Sequence, residues 1–210
     1  MMILWFQKMY KQVYIGIDQS YQNTGISVVA DGVLRDVKSV RLDKLKTNSE
    51  RRRVLGQRLD SLIAVVTERS EKVTCIVEKA RLHGGPTSFI NIDAIKAMGA
   101  LTATIVDTCA KYGIEVYSVD TRCWKSQVIG TSKPQSNKYG VPEEKWPTIQ
   151  WLIAKGFEDK ILIDVTDTRK TKGTFERNGK KYMYNNDAAD SAGIAMFGVI
   201  GDASKLQLER

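Results

Sequence analysis

The stretch that most constrains the fold is VYIGIDQSYQNTGISVVAD, residues 13–31. Val13, Ile15 and Ile17 alternate with Tyr14 and Gly16, the period of two expected of a strand buried on one face. The run stops at Asp18 in a polar turn, and a second apolar run follows in TGISVV, so the stretch predicts a strand, turn, strand hairpin. A carboxylate where a buried strand meets a turn is costly to desolvate unless it is hydrogen-bonded, paired or holding a cation. A solvated turn aspartate is the common alternative. The hairpin alone does not decide between them.

Downstream, Asp31-Gly32 is a two-residue turn signal, and Val33, Arg35, Val37, Ser39 and Arg41 alternate in a third strand. Ser49 is the expected N-cap of a helix whose apolar stripe is Leu55, Leu59, Leu62 and Val66. Arg51, Arg52, Arg53 and Arg58 give that helix a basic first half, either a solvated face or one turned to phosphate. KVTCIVEKA has the pattern of a buried strand and carries Glu78 near its end. A long helix near residues 91–111 is unusually small-sided, with Ala94, Ala97, Gly99, Ala100 and Ala103, which permits close approach of another element in this chain or a second copy. Gly113 ends it and IEVYSVD forms a fifth strand, expected to lie parallel to the Glu78 strand through a right-handed crossover. The predicted order is therefore βββαβαβ.

After a linker rich in Ser, Lys and Gly, Pro142 and Pro147 both suit the start of a helix carrying Ile149, Leu152 and Ile153. Residues 158–184 are strongly basic through Arg169, Lys170, Lys172, Arg177, Lys180 and Lys181, with an Asn178-Gly179 hairpin turn and Tyr182 and Tyr184 beside it. Two readings stand: an exposed hairpin with solvated charges, or an arm that grips phosphates and stacks on bases. The last helix opens at NNDAADSAGIA with Asn186 as expected N-cap. Asp187 and Asp190, three apart, project from one side of it. Acids in a first turn also suit the helix dipole, but Asp190 is bracketed by Ala188, Ala189, Ala192 and Ile194.

The balance of 32 Lys+Arg against 24 Asp+Glu, formal charge +8, favours a polyanionic partner, nucleic acid before an anionic membrane surface. Cys75, Cys109 and Cys123 lack paired zinc spacing and read as reduced thiols in a cytoplasmic protein. No stretch approaches the length of a membrane span, and MMILWFQKMYK is not patterned as a signal peptide. The expected organisation is an N-terminal lead over 1–12 and one domain over 13–210, with an insertion near 158–184. If the first and fourth strands are neighbours, Asp18, Glu78, Asp187 and Asp190 come together. Carboxylates so placed repel unless divalent cations neutralise them, and oxygen-only ligands favour magnesium or manganese over zinc.

GIDQSYQNTGISVV resembles the first motif of RuvC-type Holliday junction resolvases of the RNase H-like superfamily, IVEKA their second and NNDAADSAGIA their last. WKSQVIG followed by EEKWPTIQWL resembles the family's lysine-bearing segment, with Lys125 and Lys145 at the basic positions. The resemblance spans residues 13 to about 200. It implies an α/β, RNase H-like fold: a five-stranded mixed sheet flanked by helices, here with an added basic hairpin. It also implies a homodimeric nuclease that cuts four-way DNA junctions by paired nicks, using two Mg2+ ions, or Mn2+, held by Asp18, Glu78, Asp187 and Asp190. Lys125 and Lys145 would contact the scissile phosphate, and the small-sided helix would supply much of the dimer interface. The short chain and the extra segment suggest a phage-type member acting in a host cytoplasm. Family members often carry an aromatic residue three positions after the second-motif glutamate; Arg81 stands there, which broadens the expected substrates to other branched DNA. His83, in a glycine-containing loop, has no assigned role. Outside this class, GIDQS also resembles the phosphate motif of actin-type and sugar-kinase ATP-binding modules, but those need a second copy of the fold. A silent DNA-binding scaffold is the third possibility.

Overall fold

Val13, Ile15 and Ile17 are all buried on one face of strand β1 (Tyr10–Asp18) in the computed structural model of the chain, which describes residues 9–79, 92–165 and 173–209. β1 therefore starts three residues before the expected position, inside the stretch expected to be an N-terminal lead. β2 (Asn23–Ala30) pairs antiparallel with it, and β3 (Val33–Arg41) with β2. The turn between them puts Asp31 at φ 49° and Gly32 at φ 77°, the left-handed pair that a two-residue hairpin requires.

α1 (Asn48–Thr67) is capped by Thr47 rather than Ser49: Thr47 and Glu50 form a reciprocal capping box. Its buried stripe is Leu55, Leu59, Ile63 and Val66, so Ile63 replaces Leu62 in the core. β4 (Ser70–Glu78) runs parallel to β1, with Ile17 opposite Val77, which brings Asp18 and Glu78 to the same end of adjacent strands. α2 (Ile92–Ala110) crosses back to β5 (Val116–Val119), parallel to β4. Next come α3 (Thr121–Trp124), a π-helical turn at Lys125–Ile129, and α4 (Trp146–Ala154). Pro147 lies in the first turn of α4, while the Pro142 carbonyl accepts from the backbone of Lys145 and Trp146 just before it.

α5 (Glu158–Ile161) and β6 (Leu162–Asp164) precede the hairpin β7 (Thr174–Arg177) and β8 (Lys180–Tyr184). These form a separate three-stranded sheet, order β6-β8-β7. α6 (Asn186–Ile200) follows, and β9 (Gln207–Leu208) pairs antiparallel with β5. The main sheet therefore has six strands, order β3-β2-β1-β4-β5-β9, one more than expected. The sixth is a two-residue edge strand whose existence depends on β5 being there to receive it.

Three layers position the site. The Val13, Ile15 and Ile17 face packs on α1 and α2 through Leu55, Leu59, Leu101 and Ile105. Each such buried aliphatic side chain contributes about 1.5–3 kcal/mol. The opposite face carries α6, and β1 and β2 are built to let it approach closely. A Cβ at Gly16 would lie 2.3 Å from Ser191 O and Ala195 N, and one at Gly25 would lie 1.9 Å from Asp187 O. On the α6 side the approach is made by Ala188, Ala189, Ala192 and Ala195, all buried. Ser27 and Ser191 lock the contact with a buried hydroxyl pair at 2.6 Å. The glycines that weaken β1 and β2 as strands thus hold Asp187 and Asp190 against the end of β1.

Candidate active site

Asp18 and Glu78 end adjacent parallel strands, and α6 lowers Asp190 beside them. A cleft of about 460 Å³ opens there, lined among others by Asp18, Glu78, Asp190, Lys125 and Lys145. A larger concavity of about 770 Å³ lies between β3 and α1, but its floor is aliphatic, with Ile26, Val28, Val40 and Leu62, and it gathers no comparable set of acids. Of the four carboxylates expected to meet, three line the cleft; Asp187 does not, although it is near enough to act on Asp18, and its Oδ2 accepts from Asn23 Nδ2 at 2.7 Å.

The N-cap of α6 is Asn185, one residue earlier than expected. Its side chain accepts from the Ala188 N–H and donates to Ser39 Oγ at 2.8 Å, so β3 fixes where the helix begins. Asp190 is 1% exposed. Lys145, at the mouth of α4, donates to Asp190 Oδ2 at 2.6 Å and lies 3.6 Å from Asp18 Oδ2. Lys125 lies 3.7 Å from Asp190 Oδ1 and donates to the Glu144 carbonyl at 2.8 Å. The π-helical turn that begins at Lys125 keeps this lysine buried, its ammonium 5.3 Å from the centre of the Trp124 ring. Such turns are rare and frequently mark functional sites.

Glu78 is held differently. Thr121 Oγ1 donates to its Oε1 at 2.6 Å and Trp124 Nε1 to its Oε2 at 3.0 Å. Trp124 is itself locked: it is fully buried, and a Cβ on Gly193 would meet its ring at 2.4 Å. Gln19 ties the strand ends to α2, donating to the Glu78 carbonyl at 3.3 Å and accepting from Thr102 Oγ1 at 2.9 Å. Trp124, Thr121, Gln19 and Asn23 are site residues that motif reading missed. The only signal for them was an indole, one hydroxyl and two side-chain amides in otherwise polar segments.

Burial pushes the Asp18 carboxyl up from its ordinary value; Lys145 opposes this, while Asp190, Glu78 and Asp187 add to it. Burial also raises Asp187, against the Asn23 hydrogen bond and Lys145. For Lys145 burial works against the ammonium, but Asp190 and Asp18 outweigh it and hold the group charged above its ordinary value. Even so, Asp18 Oδ2 and Asp190 Oδ1 are buried oxygens lacking a hydrogen bond of good geometry. Among the described residues no group of three or more His, Cys, Asp or Glu side chains is drawn together as a formed ion site. The positive charge between Asp18 and Asp190 is instead the Lys145 ammonium. The donor set still suits a hard divalent cation: carboxylate oxygens only, two of them under-satisfied, in a pocket where they repel one another.

The basic arm reads differently from its composition. Arg177 is engaged by Glu158 and Asp159 at 3.2 and 3.5 Å. Tyr184 is buried in an aromatic cluster with Tyr139 and Phe175, its hydroxyl donating to Glu158 at 2.8 Å, so it offers no face to a base. Lys180 is exposed and Lys181 half-buried. Arg81, His83, Arg169, Lys170 and Lys172 lie outside the described residues. No described helix is long and apolar enough to cross a membrane.

No family profile and no curated protein matches the chain. Among solved structures, Thermus thermophilus RuvC is similar with a TM-score of 0.56 at 14% identity, over 94% of this chain and 99% of that one. T. thermophilus RuvC in complex with Holliday junction substrate gives the same TM-score and coverage at 13% identity. The yeast mitochondrial Holliday junction resolvase Ydc2 aligns over 90% of this chain and 78% of its own, with a TM-score of 0.47 at 12% identity. The six-stranded mixed sheet, with α1 and α2 on one face and α6 on the other, is therefore the RNase H-like fold of RuvC.

Proposed function

We propose that the chain is a divalent-cation-dependent endonuclease that cuts branched DNA, resolving four-way junctions by paired nicks. The observation that carries this reading is the convergence of Asp18, Glu78 and Asp190, with Lys125 and Lys145, in one cleft of a fold shared with a RuvC solved on a Holliday junction. The net charge of +8 supports a polyanionic substrate. Asp18, Glu78 and Asp190 would hold magnesium, with manganese able to replace it, and Asp187 would complete a two-ion set. Bound there, the ions would supply an activated water and neutralise the leaving oxygen of a phosphodiester.

The chain's own residues prepare this. Thr121 and Trp124 orient both oxygens of Glu78, and Asn23 orients Asp187. Lys125, anchored on the Glu144 carbonyl, presents a cation to the scissile phosphate. The second copy would dock on the stripe of α2 that carries the exposed Gly99 and Ala103; dimerisation would give the paired nicks their symmetry. The three cysteines are free, which suits a reducing cytoplasm, the host's if the chain is phage-encoded.

The test is a cleavage panel with Mg2+ and with chelator: a four-way junction, a three-way junction, a flap and a matched linear duplex. Four-way junctions are expected to be nicked in pairs only with the cation, three-way junctions and flaps also to be cut, and the linear duplex to survive. Equal cutting of the linear duplex, or no cutting of any branched substrate with Mg2+ or Mn2+, would overturn the reading.

A further inference from the structure

α1 and α2 both start at the carboxylate end of the main sheet and lie side by side on one face. Between their outer sides is a concavity of about 470 Å³ that the cleft chemistry does not use. Its walls carry three cations, Arg52, Arg53 and Lys111, and the hydroxyls of Ser49, Thr104 and Thr108. Arg52 is pre-positioned, its Nε donating to Thr104 Oγ1 at 3.0 Å, which leaves its terminal nitrogens for an outside acceptor.

The nearby acids offset part of this charge, chiefly at Lys111, which is paired with Asp60. Asp107 is the one carboxylate among the lining residues; Asp60 stands 3.6 Å from Lys111. Glu50, close to Arg53, has its carboxylate committed to the backbone N–H groups of Lys46 and Thr47, both at 3.0 Å. Arg52 and Arg53 are exposed, as are Lys44 and Lys46 in the loop before α1.

The concavity is also within reach of the cleft. Thr102 on α2 bonds to Gln19, next to Asp18, while Thr104 follows two residues along the same helix and Lys111, nine residues on, lies just past its C-terminal end. Helical rise puts them roughly 3–14 Å further on. Phosphates of a duplex strand recur about every 3.4 Å along the axis, so that span corresponds to a few nucleotides.

We propose that the concavity between α1 and α2 is a second phosphate-binding site, which grips the sugar-phosphate backbone of one DNA arm a few nucleotides from the point of cleavage. The inference rests on the reading of the chain as a branched-DNA nuclease.

The test uses the full chain with Arg52→Gln, Arg53→Gln and Lys111→Gln combined, and Arg53→Gln alone. Binding to a four-way junction is followed by fluorescence anisotropy between 50 and 300 mM KCl, with Ca2+ in place of Mg2+. The triple variant is expected to bind about 10- to 100-fold more weakly near 100 mM salt, with a log Kd against log salt slope shallower by about 2 to 3. The single variant, which leaves the Arg52 to Thr104 contact intact, is expected to lose about one unit of slope. The cutting rate at saturating DNA stays unchanged. Unaltered affinity and slope in the variants, or a change of oligomeric state in place of a change of slope, would overturn the inference. A wild-type chain that binds no branched DNA would overturn it together with the nuclease reading. Wild-type binding with variants indistinguishable from it would remove the second site alone.

Discussion

Asp190→Asn is expected to reduce the rate of junction cutting by on the order of a thousandfold or more, with DNA affinity held within a few-fold. The side chain is 1% exposed and is the one carboxylate contacted by both Lys125 and Lys145. Asparagine keeps the shape but removes the charge that would hold a cation, so chemistry is lost and the DNA-contacting surface is kept. Asp18→Asn should behave alike, because Asp18 shares the Lys145 ammonium from the end of β1. Single-turnover cleavage alongside binding measurements checks both. Undiminished cutting in both variants would remove these acids from the reaction.

Lys145→Met should have its largest effect on the cation-free protein. Removing one partner of a buried ion pair leaves uncompensated charge, a loss of about 3–5 kcal/mol. Here the group left without a cation would be Asp18, while Asp190 would keep only the longer contact with Lys125, and Asp190, Glu78 and Asp187 are near enough to raise Asp18 further. The Asp18 carboxyl is already raised above its ordinary value, so protonating it favours the fold over the unfolded chain. The loss in Lys145→Met should therefore be largest at pH 8 and shrink as pH falls towards 5. Mg2+ or Mn2+ should restore more stability to the variant than it adds to wild type, because in wild type the cation must displace the ammonium. Urea unfolding at both pH values, with and without cation, reads all of this. A loss independent of pH and cation would mean that Lys145 acts through packing alone.

Much of the fold could be read in the chain because it is written locally. The alternation of Val13, Ile15 and Ile17, the Asp31-Gly32 and Asn178-Gly179 turns and the apolar stripe of α1 each depend on neighbours a few residues away. The adjacency of Asp18 and Glu78 followed from one topological step, the parallel pairing of β1 and β4. Features that depend on distant partners were not legible. β9 is two residues long and exists only on the edge of β5. Asn185 rather than Asn186 caps α6 because Ser39, 146 residues away in sequence, receives its side chain. Thr47 was within reach of sequence reading, since Thr47 and Glu50 have the spacing of a capping box.

The site shows the same division. Its acids announced themselves by sitting at the ends of apolar runs, but the groups that aim them did not. Trp124 and Thr121 reach Glu78 across more than forty residues, and Asn23 reaches Asp187 across 164. Nor does basic composition reveal which charges are spent internally. Arg177 turns to Glu158 and Asp159, and Tyr184 turns into the aromatic cluster, for reasons set by how β8 lies against α5 and the segment before α4.

In the proposed nuclease, Asp18, Glu78 and Asp190 would form a cation site for which the Lys145 ammonium stands in. A crystal structure of the wild-type chain soaked in Mn2+, with anomalous diffraction recorded at the manganese edge, tests it most directly. An anomalous peak is expected within coordination distance of Asp18 and Asp190, with Lys145 withdrawn from its 2.6 Å contact with Asp190. Lys145 still seated on Asp190, with no manganese in the cleft at saturating concentration, would contradict it.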